Sequence, residues 1–284
     1  MSNLVDLHIH SNYSDGVRTP AELAEMACRL GLKAIALADH DTVDGTDELL
    51  AAGKACGLEV IPAIEFSVAY QGYRDVHLLG YYLDYHDAGL QETLKEFRDR
   101  RERRGEAIVG RINEKLGWEK REPISCEEAA ALAEGALGRP HIAQVLMAKG
   151  YAEDMQDAFV RYLIPCDVPK RYFPMEEALT TIHRLGGVAV LAHPTTVTQD
   201  RGVLTAILDS LIALGLDGVE AYNNVCTEQD SAYLKAYAEK MGLIWTGGSD
   251  YHGIEEGIEM GSGRGNLAIP YICAESIKKA RDRR

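Results

Sequence analysis

Short apolar runs alternate with longer amphipathic stretches along most of the chain. Leu4-Val5-Asp6-Leu7 leads, and Thr19-Pro20-Ala21-Glu22 then supplies an N-cap and a first-turn proline for a helix through Leu23, Met26, Ala27 and Leu30, stopped at Gly31. Ala34–Ala38 reads as a buried strand, Asp47–Cys56 as a helix closed by Gly57, and Glu59–Ile64 as a strand running on through Val68-Ala69-Tyr70. Gln71-Gly72-Tyr73 predicts a tight turn into a strand over Val76–Leu83. No helix separates these last two strands, so they are expected to be antiparallel or irregular. Strands resume at Val188–Ala192, Gly218–Tyr222 and Leu243–Thr246, with helices expected from Arg201 to Leu214 and from Glu228 to Met241.

Between Gly89 and Pro169 the period is helical throughout. A long charged helix over Glu92–Lys115 is followed by Ser125 with Glu128 three residues on, a capping box. Gly138-Arg139-Pro140-His141 opens a helix through Ile142, Val145 and Leu146, and another spans Ala152 to Leu163. Seven strands in β/α alternation predict an α/β barrel formed by 1–98 and 165–284, with a helical insertion over 99–164.

Composition narrows the partners. The 284 residues, 46% hydrophobic, suit one barrel with an insertion, and no apolar run approaches the roughly 20 residues a membrane span needs. Asp6 interrupts the first apolar run, so no signal-peptide pattern is read and a cytoplasmic location is expected. A net charge of −14 argues against broad electrostatic capture of duplex DNA. It leaves open a small phosphorylated substrate or a nucleic-acid end, held where cations are concentrated locally. The six cysteines are scattered and never form CxxC, so reduced thiols are expected and any metal chemistry rests on histidine and carboxylate, which suits Mn, Fe or Zn.

The candidate chemistry gathers at strand ends. His8 and His10 stand at i and i+2, on one face of a strand, and Asp15 follows in the turn Ser14-Asp15-Gly16. His40, Glu65, His77, His193, Asp250 and His252 lie at or near the ends of later strands, and strand C-terminal ends are where such folds build sites. Six of the nine histidines belong to this set, and a core avoids stacking unpaired imidazoles. Asp39 and Asp41 are expected to orient imidazoles from outside the ligand set. Glu220 ends a strand and is a candidate to support a ligand from behind, with no ligand role implied, and His86 and His183 read as solvated or structural. The arginines from Arg98 to Arg104 read as a salt-bridged, solvated helix face.

Taken in order, His8-x-His10, Ser14-Asp15-Gly16, Asp39-His40-Asp41, Glu65, His77, Ala192-His193-Pro194 and Gly248-Ser249-Asp250-x-His252 resemble the PHP (polymerase and histidinol phosphatase) superfamily along the whole chain. Ala38 stands where a threonine is common in that family, a change that touches no ligand. The resemblance implies a distorted (β/α)7 barrel with two or three divalent metal ions (Mn, Fe or Zn). One ion would take His8, His10, Glu65 and Asp250. A second would share Glu65 and take His77 and His193, and a third would take Asp15, His40 and His252. Asp250 and His252 are also the catalytic candidates for proton handling.

Length and insertion resemble bacterial members that act on nucleoside 3′,5′-bisphosphates and, in some cases, on RNA 5′ ends. The implied reaction is hydrolysis of a phosphomonoester by a metal-bridging hydroxide. Arg139 and His141 match a segment that contacts substrate phosphate in those members, where the arginine fork and a helix N-terminus both favour an anion. Lys170 is a further phosphate candidate, and the insertion is expected to lie over the barrel mouth. Histidinol phosphate hydrolysis and cyclic-phosphate diester hydrolysis are the alternatives among enzymes. A metal-dependent binding or sensing protein is the alternative outside them.

Overall fold

A computed structural model describes residues 3–132 and 137–284 and divides the chain into two compact units, 1–91 with 172–284, and 92–171. The first unit carries β1 (Val5–Ile9), α1 (Pro20–Leu30), β2 (Ala34–Leu37), α2 (Thr46–Cys56), β3 (Glu59–Tyr70) and β4 (Tyr73–Tyr81). After the second unit it continues with β5 (Phe173–Pro174), α7 (Met175–Arg184), β6 (Val188–Leu191), α8 (Arg201–Ala213), β7 (Gly218–Tyr222), α9 (Glu228–Met241), β8 (Ile244–Gly247) and α10 (Ile272–Arg281). The helices between 88 and 171 take α3 to α6. One sheet runs β1-β2-β3-β4-β6-β7-β8, with β5 beside β3. The segment after β8 brings the sheet back to β1, through Asp250 N–H to His8 carbonyl and His10 N–H to Tyr251 carbonyl, both 2.9 Å. The result is a nearly closed α/β barrel.

The turn at Gln71-Gly72 places both residues at positive φ (46° and 87°), the geometry of a tight hairpin. β4 therefore runs antiparallel to β3 and to β6, while the other neighbours on the main path are parallel. This reverses the rule for one candidate. His77 sits at the midpoint of its strand, opposite Ser67, because an antiparallel strand runs back from the C-terminal end of its neighbour.

Alternate residues, among them Val5, Leu7, Ala34, Ala36, Ile61, Ala63, Leu79, Tyr81, Val188 and Val190, pack together with Cys273, Ala274 and Ile277 of α10. A second layer sets Ile9, Ile35 and Leu37 against Leu23, Ala24 and Ala27 of α1 and Leu49 of α2. Leu7 and Ile9 thus belong to opposite faces although two residues apart. An irregularity in the β1–β2 register between Asp6 and Ile9 accounts for the change, and it turns His8 and His10 together to the inner face. Neither α7 nor α10 was expected from the sequence. α7 follows a proline and buries Met175, Ala178, Leu179 and Ile182 along one face.

One expectation is overturned outright. Cys28 and Cys56 form a disulfide, with Cα atoms 6.7 Å apart, and Cys126, Cys166, Cys226 and Cys273 are free. α1 and α2 pack side by side and both end in a left-handed glycine, Gly31 and Gly57, which brings their last turns level. A spacing of 28 residues carries no sign of that proximity. The bond also removes cysteine usage as an argument for a reducing compartment. Among the described residues, no helix is long and apolar enough to cross a membrane.

The second unit is helical: α3 (Ala88–Trp118, whose first turn belongs to the first unit), α4 (Cys126–Ala130), α5 (Arg139–Ala148), α6 (Met155–Ala158) and a wider π-turn over Phe159–Leu163. Ile108, Ile112 and Leu116 of α3 pack on Ile142, Ala143 and Leu146 of α5 and on Tyr162 and Leu163.

Candidate metal centre

Three irregularities aim the ligand candidates. The register change in β1 turns in His8 and His10. His193 (φ 25°, ψ 61°) and Asp250 (φ 54°) adopt positive φ just past β6 and β8, a conformation costing of order 1–3 kcal/mol per residue that persists only where the surroundings enforce it. Glu65, fully buried in β3, is the hub. Its Oε1 lies 3.3 Å from His8 Nε2, 3.2 Å from His77 Nδ1 and 3.1 Å from His193 Nε2. Its Oε2 lies 2.9 Å from His40 Nδ1 and 3.5 Å from His10 Nε2. Asp250 Oδ1 approaches His10 Nε2 at 3.0 Å and His8 Nε2 at 3.5 Å. Asp15 faces His252 Nε2 at 3.3 Å, and His10 and His40 at 3.7 Å each.

Nine side chains from across the barrel thus share one space. Three sets have ligand atoms within 4.8 Å of one another: His8, His10 and Glu65; His40, Glu65 and His77; and His10, Asp15, His40 and His252. Compared with the division implied by resemblance, His10 and His40 each reach a second set.

Burial alone would raise the Glu65 carboxyl, but His40, His77 and His8 hold it well below the usual range. Asp250 is likewise pulled far down against burial by His8 and His10. Burial lowers His10 to about 3, helped by the neighbouring His252. His252 goes the other way despite its burial, raised to about 10 chiefly by its bond to Asp15. Several buried atoms converge without a hydrogen bond of normal geometry, among them His8 Nε2, His10 Nδ1 and Glu65 Oε2. Buried polar atoms left so cost free energy. Nitrogen and carboxylate donors converging in that way fit a divalent ion.

The matches to known proteins agree. The model of the PHP domain matches residues 6–164. A 5′-3′ exoribonuclease of Haemophilus influenzae is 33% identical over 89% of this chain and 91% of its own. The chain belongs to the PHP family. A 3′,5′-nucleoside bisphosphate phosphatase of Chromobacterium violaceum is 29% identical over 89% of this PHP chain and 88% of its own. A solved Bifidobacterium adolescentis structure that carries the name metal-dependent phosphoesterase superposes with a TM-score of 0.83 at 29% identity, over 98% of this chain and 96% of that one. This PHP chain is accordingly a hydrolase of phosphoric esters, of a metal-dependent family.

Beside the PHP ligand set, a cavity of about 320 Å³ is lined by His40, Glu65, His77, His193, Asp250 and His252, and by Thr196, Asn223, Asn224 and Val225. That volume is in the range of small-molecule sites.

The supporting carboxylates differ from expectation. Asp39 accepts from Ser11 N–H (2.7 Å), Ser11 Oγ (2.6 Å) and Ser14 Oγ, and Asp41 accepts from Ser67 N–H (2.8 Å). Both hold backbone and loop, not an imidazole. Asp6 clamps the turn before Asp250 by accepting from Ser249 N–H (2.8 Å), Ser249 Oγ and Gly261 N–H (2.7 Å). The imidazoles are oriented by Glu220 on His8 Nδ1 (3.0 Å), Thr196 on His193 Nδ1 (2.9 Å) and the Asp250 carbonyl on His252 Nδ1 (2.9 Å). A lone carboxylate inside an apolar strand was the one signal available for Asp6 and Glu220; Thr196 had none.

The other candidates lie in the helical unit. Arg139 sits at the first turn of α5, over the Phe159 ring (5.6 Å) and 3.8 Å from Asp167. Arg104 bonds the same carboxylate at 2.6 Å and the Val168 carbonyl at 2.6 Å, so it anchors the return segment and is not part of a solvated face. His141 Nδ1 accepts from Gly138 N–H (3.0 Å), closing the cap of α5. Lys170 is half-buried near the end of the unit. Residues 92–171 hold fifteen Lys and Arg against fifteen Asp and Glu, so the whole charge of −14 falls on the barrel unit.

Proposed function

We propose that this PHP enzyme hydrolyses the phosphomonoester of a nucleoside 3′,5′-bisphosphate or an RNA 5′ end, using two or three divalent ions (Mn, Fe or Zn) held by His8, His10, Asp15, His40, Glu65, His77, His193, Asp250 and His252. The observation that carries the reading is the convergence of six imidazoles on Glu65, Asp15 and Asp250 beside a cavity of about 320 Å³. The activity named for the Chromobacterium violaceum relative agrees with it, and the exoribonuclease name, which denotes phosphodiester cleavage from a 5′ end, agrees in the kind of substrate. Bound ions would supply Lewis acidity and lower the pKa of water.

The chain's own residues do the remainder. Glu65 keeps the imidazoles of several strands facing one carboxylate. Asp250 and His252, about 33% and 14% exposed, open on the cavity and are placed to hold or move a proton at the departing oxygen. Arg139, with His141 and Lys170, supplies the second anion contact that a bisphosphate or RNA end requires. The local charge balance of residues 92–171 supports that role in an otherwise acidic chain.

The test is a substrate panel on metal-loaded and chelator-stripped protein: adenosine 3′,5′-bisphosphate, a short 5′-phosphorylated RNA, histidinol phosphate and a cyclic phosphodiester. Turnover of the first two, lost on stripping and restored by metal, is expected. Preference for either of the others, or full activity in chelator, overturns the proposal. Arg139→Ala should lower kcat/KM on the bisphosphate by about 1.5–3 kcal/mol of transition-state binding, roughly tenfold to a hundredfold, with bound metal unchanged. Unchanged kinetics would remove the helical unit from the site.

A further inference from the structure

Glu220 lies wholly buried in β7, between strands that carry ligands, and belongs to none of the converging sets. Its two oxygens face two different ligand residues. Oε1 lies 3.0 Å from His8 Nδ1, and Oε2 accepts from the backbone N–H of His193 at 2.8 Å. β7 is parallel to β6, with Val219 beside Leu191, so Glu220 reaches His193, the second residue past the β6 end. That residue is the one with φ 25°.

The rings of His8 and His193 are stacked, with centroids 5.8 Å apart and planes at 21°. Both present Nε2 to Glu65 Oε1, at 3.3 and 3.1 Å. Glu220 therefore stands behind the His8 ring and the His193 backbone, while Glu65 stands in front of both rings.

We infer that Glu220 is a positioning residue that sets two metal sites at once, fixing the tautomer of His8 and the backbone of His193. This rests on the metal reading proposed above. A carboxylate only accepts, so the His8 proton is held at Nδ1 and the Nε2 lone pair is turned to the ligand space. The same group holds the strained His193 backbone, and with it the second imidazole's approach to Glu65. Thr196, on His193 Nδ1, completes the orientation of that ring.

Glutamine is the discriminating substitution. It matches the shape of glutamate but offers one acceptor and one NH₂, while two N–H groups face it, so one of the two contacts becomes donor against donor. Glu220→Gln is therefore expected to weaken binding about 10–100-fold at one of the positions served by His8 and His193, Glu220→Ala, which removes both acceptors, at both, and each variant to spare the set around Asp15. The readout is metal content and chelator competition with zinc or manganese, with circular dichroism confirming the fold. Unaltered affinity at every position in either folded variant overturns the inference, and so does a loss confined to one position in Glu220→Ala.

A second measurement needs no variant. Long-range ¹H–¹⁵N spectra of the zinc-loaded protein should show His8 protonated at Nδ1, and protonation at Nε2 overturns the inference. If the unaltered protein binds no metal, the proposed function fails first. If it binds metal and either variant is indistinguishable from it, only the role of Glu220 fails.

Discussion

Gly248 precedes the Ser249-Asp250 turn, and its backbone lies directly against β1. A Cβ added there would stand 2.1 Å from His8 Cβ, 2.6 Å from His8 N and 2.8 Å from His8 Cα. Carbon atoms in contact sit at about 3.5–4.0 Å, so Gly248→Ala must push the two segments apart by roughly 1.5 Å. The atoms in the way are backbone and Cβ, with no flexible side-chain end to swing aside. A shift of that size stretches the Asp250 N–H to His8 carbonyl bond from 2.9 Å beyond hydrogen-bonding range.

Overpacking of this kind costs about 1–3 kcal/mol, and the lost bond adds about 1, so a loss of about 2–4 kcal/mol is expected. Function should suffer too, because His8 and Asp250, 3.5 Å apart, are pulled away from each other. Urea unfolding of the metal-free protein measures the first effect, and metal content after dialysis the second. Gly110, in the middle of α3 with nothing within 4 Å of an added Cβ, is the control. Its replacement by alanine should gain up to about 1 kcal/mol from helix propensity alone. An unchanged urea midpoint and full metal content in Gly248→Ala would refute the reasoning.

Reducing the Cys28–Cys56 bond, or Cys28→Ser, reopens a loop of 28 residues, which in the chain-entropy account costs about 3.5 kcal/mol; Tm with and without reductant measures it, and equal values would show that the bond adds nothing. Metal affinity should rise with pH. In the metal-free protein burial works against the charge on His252, but the bond to Asp15 prevails and raises its pKa to about 10, so an incoming ion must displace a proton at neutral pH. Affinity at the position of His252 is expected to improve about tenfold per pH unit between 6 and 9. Chelator competition across that range checks it, and a flat response would mean that His252 takes no part in binding metal.

Local periodicity and cap chemistry determined much of this protein. Thr19-Pro20 with Glu22, and Ser125 with Glu128, announce helix starts through hydrogen bonds made within four residues. The tight turn at Gln71-Gly72 is equally local. The ligand candidates were legible because imidazoles and carboxylates repeated at strand ends have no good role in a plain core.

What tertiary structure decided is relative placement. The register change in β1 follows from how β1 lies on β2, and it determines that His8 and His10 both face inward. β4 runs antiparallel, so His77 acts from the middle of its strand and not from a C-terminal end. Cys28 and Cys56 meet only because α1 and α2 end level. Glu220 stood in the sequence as one more strand-end carboxylate, and its partners are 212 and 27 residues away. Short-range rules contain no term for a hydrogen bond that forms only after a barrel has closed.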